Sequence, residues 1–148
     1  MAFGAGDDVI GRTMGFRYDA DNTIWAYCYA ENGATAKTPG KLEAFEAGWR
    51  YKAIDSNTHQ YYVCVPPATM TSASYGWVQV GGPFDSMVTP SLSVSVGHAL
   101  GIGGALVKDV GSDYSGGATE FAVCRTATSS IATCSIWLVP RMITAAAT

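Results

Sequence analysis

Apolar and polar residues alternate with a period of two over short stretches of this chain, and that alternation constrains its fold more than any other feature. From Thr23 to Ala30, Trp25, Tyr27 and Tyr29 fall on one side, and Ile24, Ala26, Cys28 and Ala30 on the other. Leu92, Val94 and Val96 interleave with Ser91, Ser93 and Ser95, and Tyr75–Val80 is rich in aromatic and β-branched residues. A strand sends successive side chains to opposite faces, so such runs read as half-buried strands. Turn formers separate them: Glu31-Asn32-Gly33, Thr38-Pro39-Gly40, Pro66-Pro67, Gly81-Gly82-Pro83 and the glycines from 97 to 104. Proline cannot donate to a ladder, so Gly81-Gly82-Pro83 and Pro140 are expected to end strands. Lys41–Ala47 contains helix formers, with Thr38 placed to cap and Pro39 at the first turn. It is short and Gly48 interrupts it, so it reads as a strand with a tight turn at Ala47-Gly48. Phe121–Arg125 and Ile131–Val139 read as a closing hairpin. About nine or ten short strands at 8–12-residue spacing suggest a sandwich or barrel. The expected fold is all-β: a single small β-sandwich or barrel-like domain, 1–148, of short antiparallel strands. An extended N-terminal arm (1–11) precedes it and a loose tail (142–148) follows.

Composition narrows the function. The chain has 148 residues, 48% of them hydrophobic and only 14% charged, against about 25% charged in an average globular protein. That balance argues against disorder. The formal charge of −3 and pI near 5.2 are unlike the basic footprint of a nucleic-acid binder. No apolar run approaches the roughly 20 residues of a membrane-spanning helix, and the start shows no basic and apolar secretory pattern. Between Asp55 and Lys108 the one charged residue is Asp85. Solubility usually relies on interspersed charge, so a surface this bland is expected to be covered by partners.

The chemistry-bearing residues form no recognisable constellation. Cys28, Cys64, Cys124 and Cys134 contain no C-x-x-C pair, and His59 and His98 are far apart, so no zinc pattern emerges. The cysteines sit in strand-like segments and are expected to be buried thiols. A hairpin turning near Ser129 would set Cys124 opposite Cys134, where a disulfide is geometrically conceivable. Ser95-Val96-Gly97-His98 is half of a nucleophile elbow without its helix. Gly101-x-Gly103-Gly104 lacks the third glycine of a dinucleotide loop, since Leu106 stands there. Asp19-x-Asp21 lacks the glycine and glutamate of a calcium loop. Glu43 and Glu46 have nothing to desolvate or oppose them. A small hydrolase would need His59 or His98 as its base, and no pattern supplies a nucleophile and acid. No catalytic residue, metal ligand or cofactor is therefore expected. The aromatic residues remain: the Trp25, Tyr27 and Tyr29 stripe, with Trp49, Tyr51, Tyr61, Tyr62, Tyr75 and Trp77. Such groups fill cores and protein interfaces; stacking of sugars is the alternative.

From Pro67 onward the order of segments resembles one family. The run Ala68-Thr69-Met70-Thr71-Ser72-Ala73-Ser74-Tyr75-Gly76-Trp77-Val78-Gln79-Val80-Gly81-Gly82 is similar to a signature of the head decoration (cement) proteins of tailed phages. So are the hairpins at Val94–Gly101 and Gly104–Val107, and the closing Phe121–Val123 and Ile136-Trp137-Leu138-Val139-Pro140-Arg141. Phe16-Arg17-Tyr18 and Trp25-Ala26-Tyr27 fit the family's early strands more loosely. Lys41–Ala47 and the cysteines lie outside the pattern. The resemblance covers about half the chain through short structural motifs. It implies a non-enzymatic virion protein, made in the host cytoplasm and bound to the outer capsid surface. The major capsid protein would be the partner, and a homotrimer or another oligomer the assembly, with no nucleic acid, membrane or cofactor involved. An arm can add a strand to a neighbour's sheet edge, which makes Phe3, Asp7, Asp8, Val9 and Ile10 the candidate capsid contacts. Trp25, Tyr27 and Tyr29 are the candidate oligomer contacts. A carbohydrate-binding β module of a head or tail appendage is the alternative.

Overall fold

The computed structural model describes residues 15–46, 48–55, 59–103, 106–126 and 128–145. Phe3, Asp7, Asp8, Val9 and Ile10 lie outside the described residues. The described chain is all-β. Its strands are β1 (Arg17–Tyr18), β2 (Ile24–Ala30), β3 (Gly40–Phe45), β4 (Gly48–Ala53), β5 (His59–Cys64), β6 (Ser74–Val94), β7 (Ala99–Gly103), β8 (Leu106–Gly111), β9 (Glu120–Cys124), β10 (Thr128–Leu138) and β11 (Met142–Ala145). They join in the order β11-β5-β3-β4-β2-β6-β10-β9-β7-β8, with β1 on β2, as one curled sheet that forms a half-barrel.

The curl returns the end of β5 to β6. Val65 and Gln79 exchange both backbone hydrogen bonds, at 2.9 and 3.0 Å, so a ring of strands closes around a small interior. Ala26, Cys28, Leu42, Tyr51, Cys64, Val78 and Val80 fill it. The second half of the sheet packs over a different core: Phe84, Met87, Leu100, Phe121, Ile136 and Leu138, with Tyr61 and Val63 from β5 and Val65 just after it. β5 therefore serves both cores. Its odd residues face one and Cys64 faces the other, as the period of two requires.

Four expectations need correction. The sheet is not wholly antiparallel: β2 and β4 run parallel, pairing Tyr29 with Arg50 and Ala30 with Tyr51. β3 and β4 form the expected hairpin, closing at Phe45–Gly48. It is β4, not β3, that lies beside β2, so the connection 31–39 carries the chain past one strand position.

Not all strands are short, because Gly81-Gly82-Pro83 does not end β6, which spans 21 residues. Ser74–Gly81 pairs with β2 and Gly82–Val94 with β10. Pro83 sits where the strand exchanges partners, and Gly82, at φ +86, turns it. The Gln79 amide donates to the carbonyls of Gly81 at 2.9 Å and Pro83 at 2.7 Å. Acceptors freed at the switch are thereby satisfied.

The tail is not loose over its first residues: Met142–Ala145 pairs with β5, and Ile143 is buried. Finally, Cys124 is paired with Ile136, not Cys134. All four cysteines are buried thiols.

Candidate interaction surface

The outer face of β2 and the first half of β6 carries a continuous row of aromatic rings. Register builds it: Tyr27 lies opposite Trp77, and Tyr29 opposite Tyr75, so cross-strand neighbours share a face. Ring centroids lie 5.1 Å apart for Tyr27–Trp77, 5.8 Å for Tyr27–Tyr75 and 5.1 Å for Tyr29–Tyr75. Phe45, at the end of β3, extends the row, 6.3 Å from Tyr29. Tyr75 is 61% exposed. The small residues Ala26, Cys28 and Ala30 of β2 point inward, so this face is the one they leave outside.

A guanidinium caps each end. Arg17 lies 5.0 Å from the Trp77 ring centre, and Arg50 lies 4.2 Å from that of Phe45. Each cation meets an acid. Arg17 donates to both carboxylate oxygens of Asp19, at 2.8 and 2.7 Å, and Arg50 approaches Glu43 at 3.4 Å. Hydrogen bonding to Asp19 raises the Arg17 pKa, and the same bonds lower that of Asp19. The row is thus aromatic along its length and charge-balanced at its ends.

Of the sequence candidates, Tyr27 and Tyr29 lie in this row. Trp25 lies at the same strand's start, opposite Arg17, with its indole N–H donating to Thr23 Oγ1 at 2.8 Å. Tyr75 and Trp77 join Tyr27 and Tyr29, whereas Trp49, Tyr51 and Tyr61 are buried. Tyr62 packs with Phe16 and Trp49, at 5.0 and 5.7 Å. Phe45, Arg17 and Arg50 escaped the sequence reading. Only the alternation of Tyr75, Trp77 and Gln79 hinted at a second stripe; nothing local ties Phe45 or Arg50 to β2.

His98, Glu120 and Lys41 have structural partners. His98 Nδ1 lies 2.7 Å from Asp109 Oδ2, clipping the start of β7 to β8. The His59 side chain lies outside those described. Glu120 is buried beneath its own loop. Burial opposes its charge, yet Ser115 N, Ser115 Oγ and Gly117 N all donate to it at 3.0 Å, and its pKa is lowered overall. Lys41, 1% exposed, reaches Asp55 at 3.0 Å and the Tyr61 ring at 5.6 Å. A groove of about 440 Å³ lies beside Asn32, Thr35, Tyr51, Lys52, Ile54 and Asp55. Among the described residues, no group of three or more His, Cys, Asp or Glu side chains is placed to hold a metal. No described helix is long and apolar enough to cross a membrane.

No family model matches the sequence, and no curated protein matches it. Among solved structures, it is similar to the N base of head fiber gp8.5 in bacteriophage phi29. The TM-score is 0.52 at 10% identity, covering 82% of this chain and 98% of that one. The two chains share a fold. At that identity the likeness concerns architecture, not side chains.

Proposed function

We propose that this chain is a structural protein of a tailed-phage head, bound to the outer surface of the major capsid lattice as a decoration protein. The observation that carries this reading is the fold shared with a phage head-fiber base over nearly all of that base. The decoration motifs from Tyr75 onward support it from the sequence side. In this reading the chain transforms no substrate and takes no cofactor. The arm, with Phe3, Asp7, Asp8, Val9 and Ile10, reaches the capsid, and the aromatic row joins copies of the chain into a homotrimer. Binding only the closed lattice stabilises it by linkage, and many weak contacts act together.

The head-fiber neighbour favours a second reading, in which the chain is the base of a longer head appendage. A sugar-binding module gains less support. Tyr27 stacks on Tyr75 at an interplanar angle of 12°, and Tyr29 tilts against Tyr75 at 41°. Tyr27 and Tyr29 are half-buried against these neighbours, which leaves less ring face for a sugar.

Imaging of purified particles, followed by add-back of the chain to stripped capsids, tests the proposal. Surface density that returns with the full chain and fails to return with residues 1–10 deleted is the expected result. Particles with the protein only in the tail, or inside the shell, overturn it. Density continuing outward into a fiber selects the appendage reading.

A further inference from the structure

The buried thiols divide two and two. Cys28 and Cys64 lie in the small closed core, and Cys124 and Cys134 in the larger one. The second pair sits on neighbouring strands. Cys124 is level with Ile136, so Cys134 is the next residue on the same face of β10, diagonal to Cys124. Burial raises the Cys124 pKa overall, opposed by hydrogen bonding to the Thr126 carbonyl oxygen, 2.9 Å from Sγ, and to the Cys134 thiol. Beside them Arg125 N donates to Ser135 O at 2.8 Å, and Ser135 N to Thr126 Oγ1 at 3.0 Å. These bonds draw β9 and β10 together around the sulfurs. Exposed residues flank the pair: Arg125 and Thr126 follow Cys124, and Thr133 precedes Cys134. Cys28 and Cys64 have no such offset. Burial pushes the Cys28 thiol up to about 12 and Cys64 well above its ordinary value, which keeps both far from the reactive thiolate.

We propose that Cys124 and Cys134 form an oxidative modification site that closes into an intramolecular disulfide when the protein meets a small-molecule disulfide oxidant. One thiol, as thiolate, attacks the oxidant, and a mixed disulfide forms as one oxidant thiolate leaves. The second cysteine, also as thiolate, displaces the other half. Two S–H bonds are lost and one S–S bond is gained. The two electrons and two protons end on the oxidant as two thiols.

The bond has a mechanical consequence. β10 pairs with β6 through register shifts between Thr128 and Ile131, Ile131 and Thr133, and Cys134 and Ile136. A link from Cys124 to Cys134 fastens this irregular stretch to β9. Formation of the bond does not depend on the role proposed above. Its timing does: a virion protein leaves a reducing cytosol for an oxidising exterior.

The test uses the full chain, purified reduced and exposed to oxidised glutathione. Remaining thiols are counted in denaturant after blocking, and cross-linked peptides are mapped without reductant. The thiol count is expected to fall from four to two, with Cys124 joined to Cys134. The thermal midpoint is expected to rise by roughly 5–10 °C, reversibly with dithiothreitol. Cys134→Ser should abolish the shift; where that variant folds poorly, the peptide map of the unaltered protein decides alone. Four surviving thiols, a link through Cys28 or Cys64, or only intermolecular dimers would overturn the proposal.

Discussion

Gly82 is where β6 leaves β2 and takes up β10, and replacing it tests whether that switch is built as described. Its φ of +86 lies in the left-handed region, which costs an alanine about 1–2 kcal/mol. Space adds a second cost. A Cβ there would stand 2.1 Å from the Asn22 carbonyl oxygen, 2.9 Å from its carbon and 3.0 Å from Thr23 Cα. These are backbone atoms that no rotamer change can clear, so the chain before β2 must shift, at about 1–3 kcal/mol. Gly97 supplies the control, with φ +87 and no atom within 4 Å of its Cβ position. Gly97→Ala carries the conformational cost alone. The gain of roughly 0.4–1 kcal/mol from a stiffer unfolded chain is common to both. Gly82→Ala should therefore cost about 1–3 kcal/mol more than Gly97→Ala, a large share of a typical stability of about 5–15 kcal/mol. Urea unfolding followed by tryptophan fluorescence measures both. If the two variants agree within about 0.5 kcal/mol, the close approach of β6 to Asn22 does not exist and the account of the switch fails.

Other expectations follow from single contacts. Glu120 has a lowered folded pKa, so its contribution is present above the unfolded value and is lost as pH falls through the folded one; Glu120→Gln should flatten the acid limb of a stability–pH curve. Asp55→Ala should destabilise more than Lys41→Met in urea unfolding, because it strands a buried ammonium whereas the methionine keeps the packing without the charge. Tyr75→Ala, at an exposed position, should change stability by less than about 1 kcal/mol yet weaken self-association in sedimentation; unchanged association would remove the aromatic row from the assembly.

The strands were legible because their signal is local. A half-buried strand writes its two faces as alternating residues, and Ile24–Ala30 does so openly. Lys41–Ala47 read as a strand turning at Ala47-Gly48 despite its helix formers, since the run is short and Gly48 cuts it. The turn at Asn32-Gly33 was equally plain, with Gly33 at φ +77. Half of the aromatic surface was visible for the same reason: Tyr27 and Tyr29 belong to one alternation.

What the sequence could not convey was which strand lies beside which, and at what register. Pro83 looked like a stop because proline lacks a donor; only the exchange of β2 for β10 makes that missing donor harmless. Cys134 looked opposite Cys124 until the pairing, shifted by two residues, put Ile136 there instead. Phe45 and Arg50 entered the aromatic row because β4 lies parallel to β2, an arrangement reached across a connection that carries no period. Alternation assigns each side chain to a face within its own strand. Assembling those faces into a surface depends on hydrogen bonds between residues far apart in the chain, and these form only when the cores close.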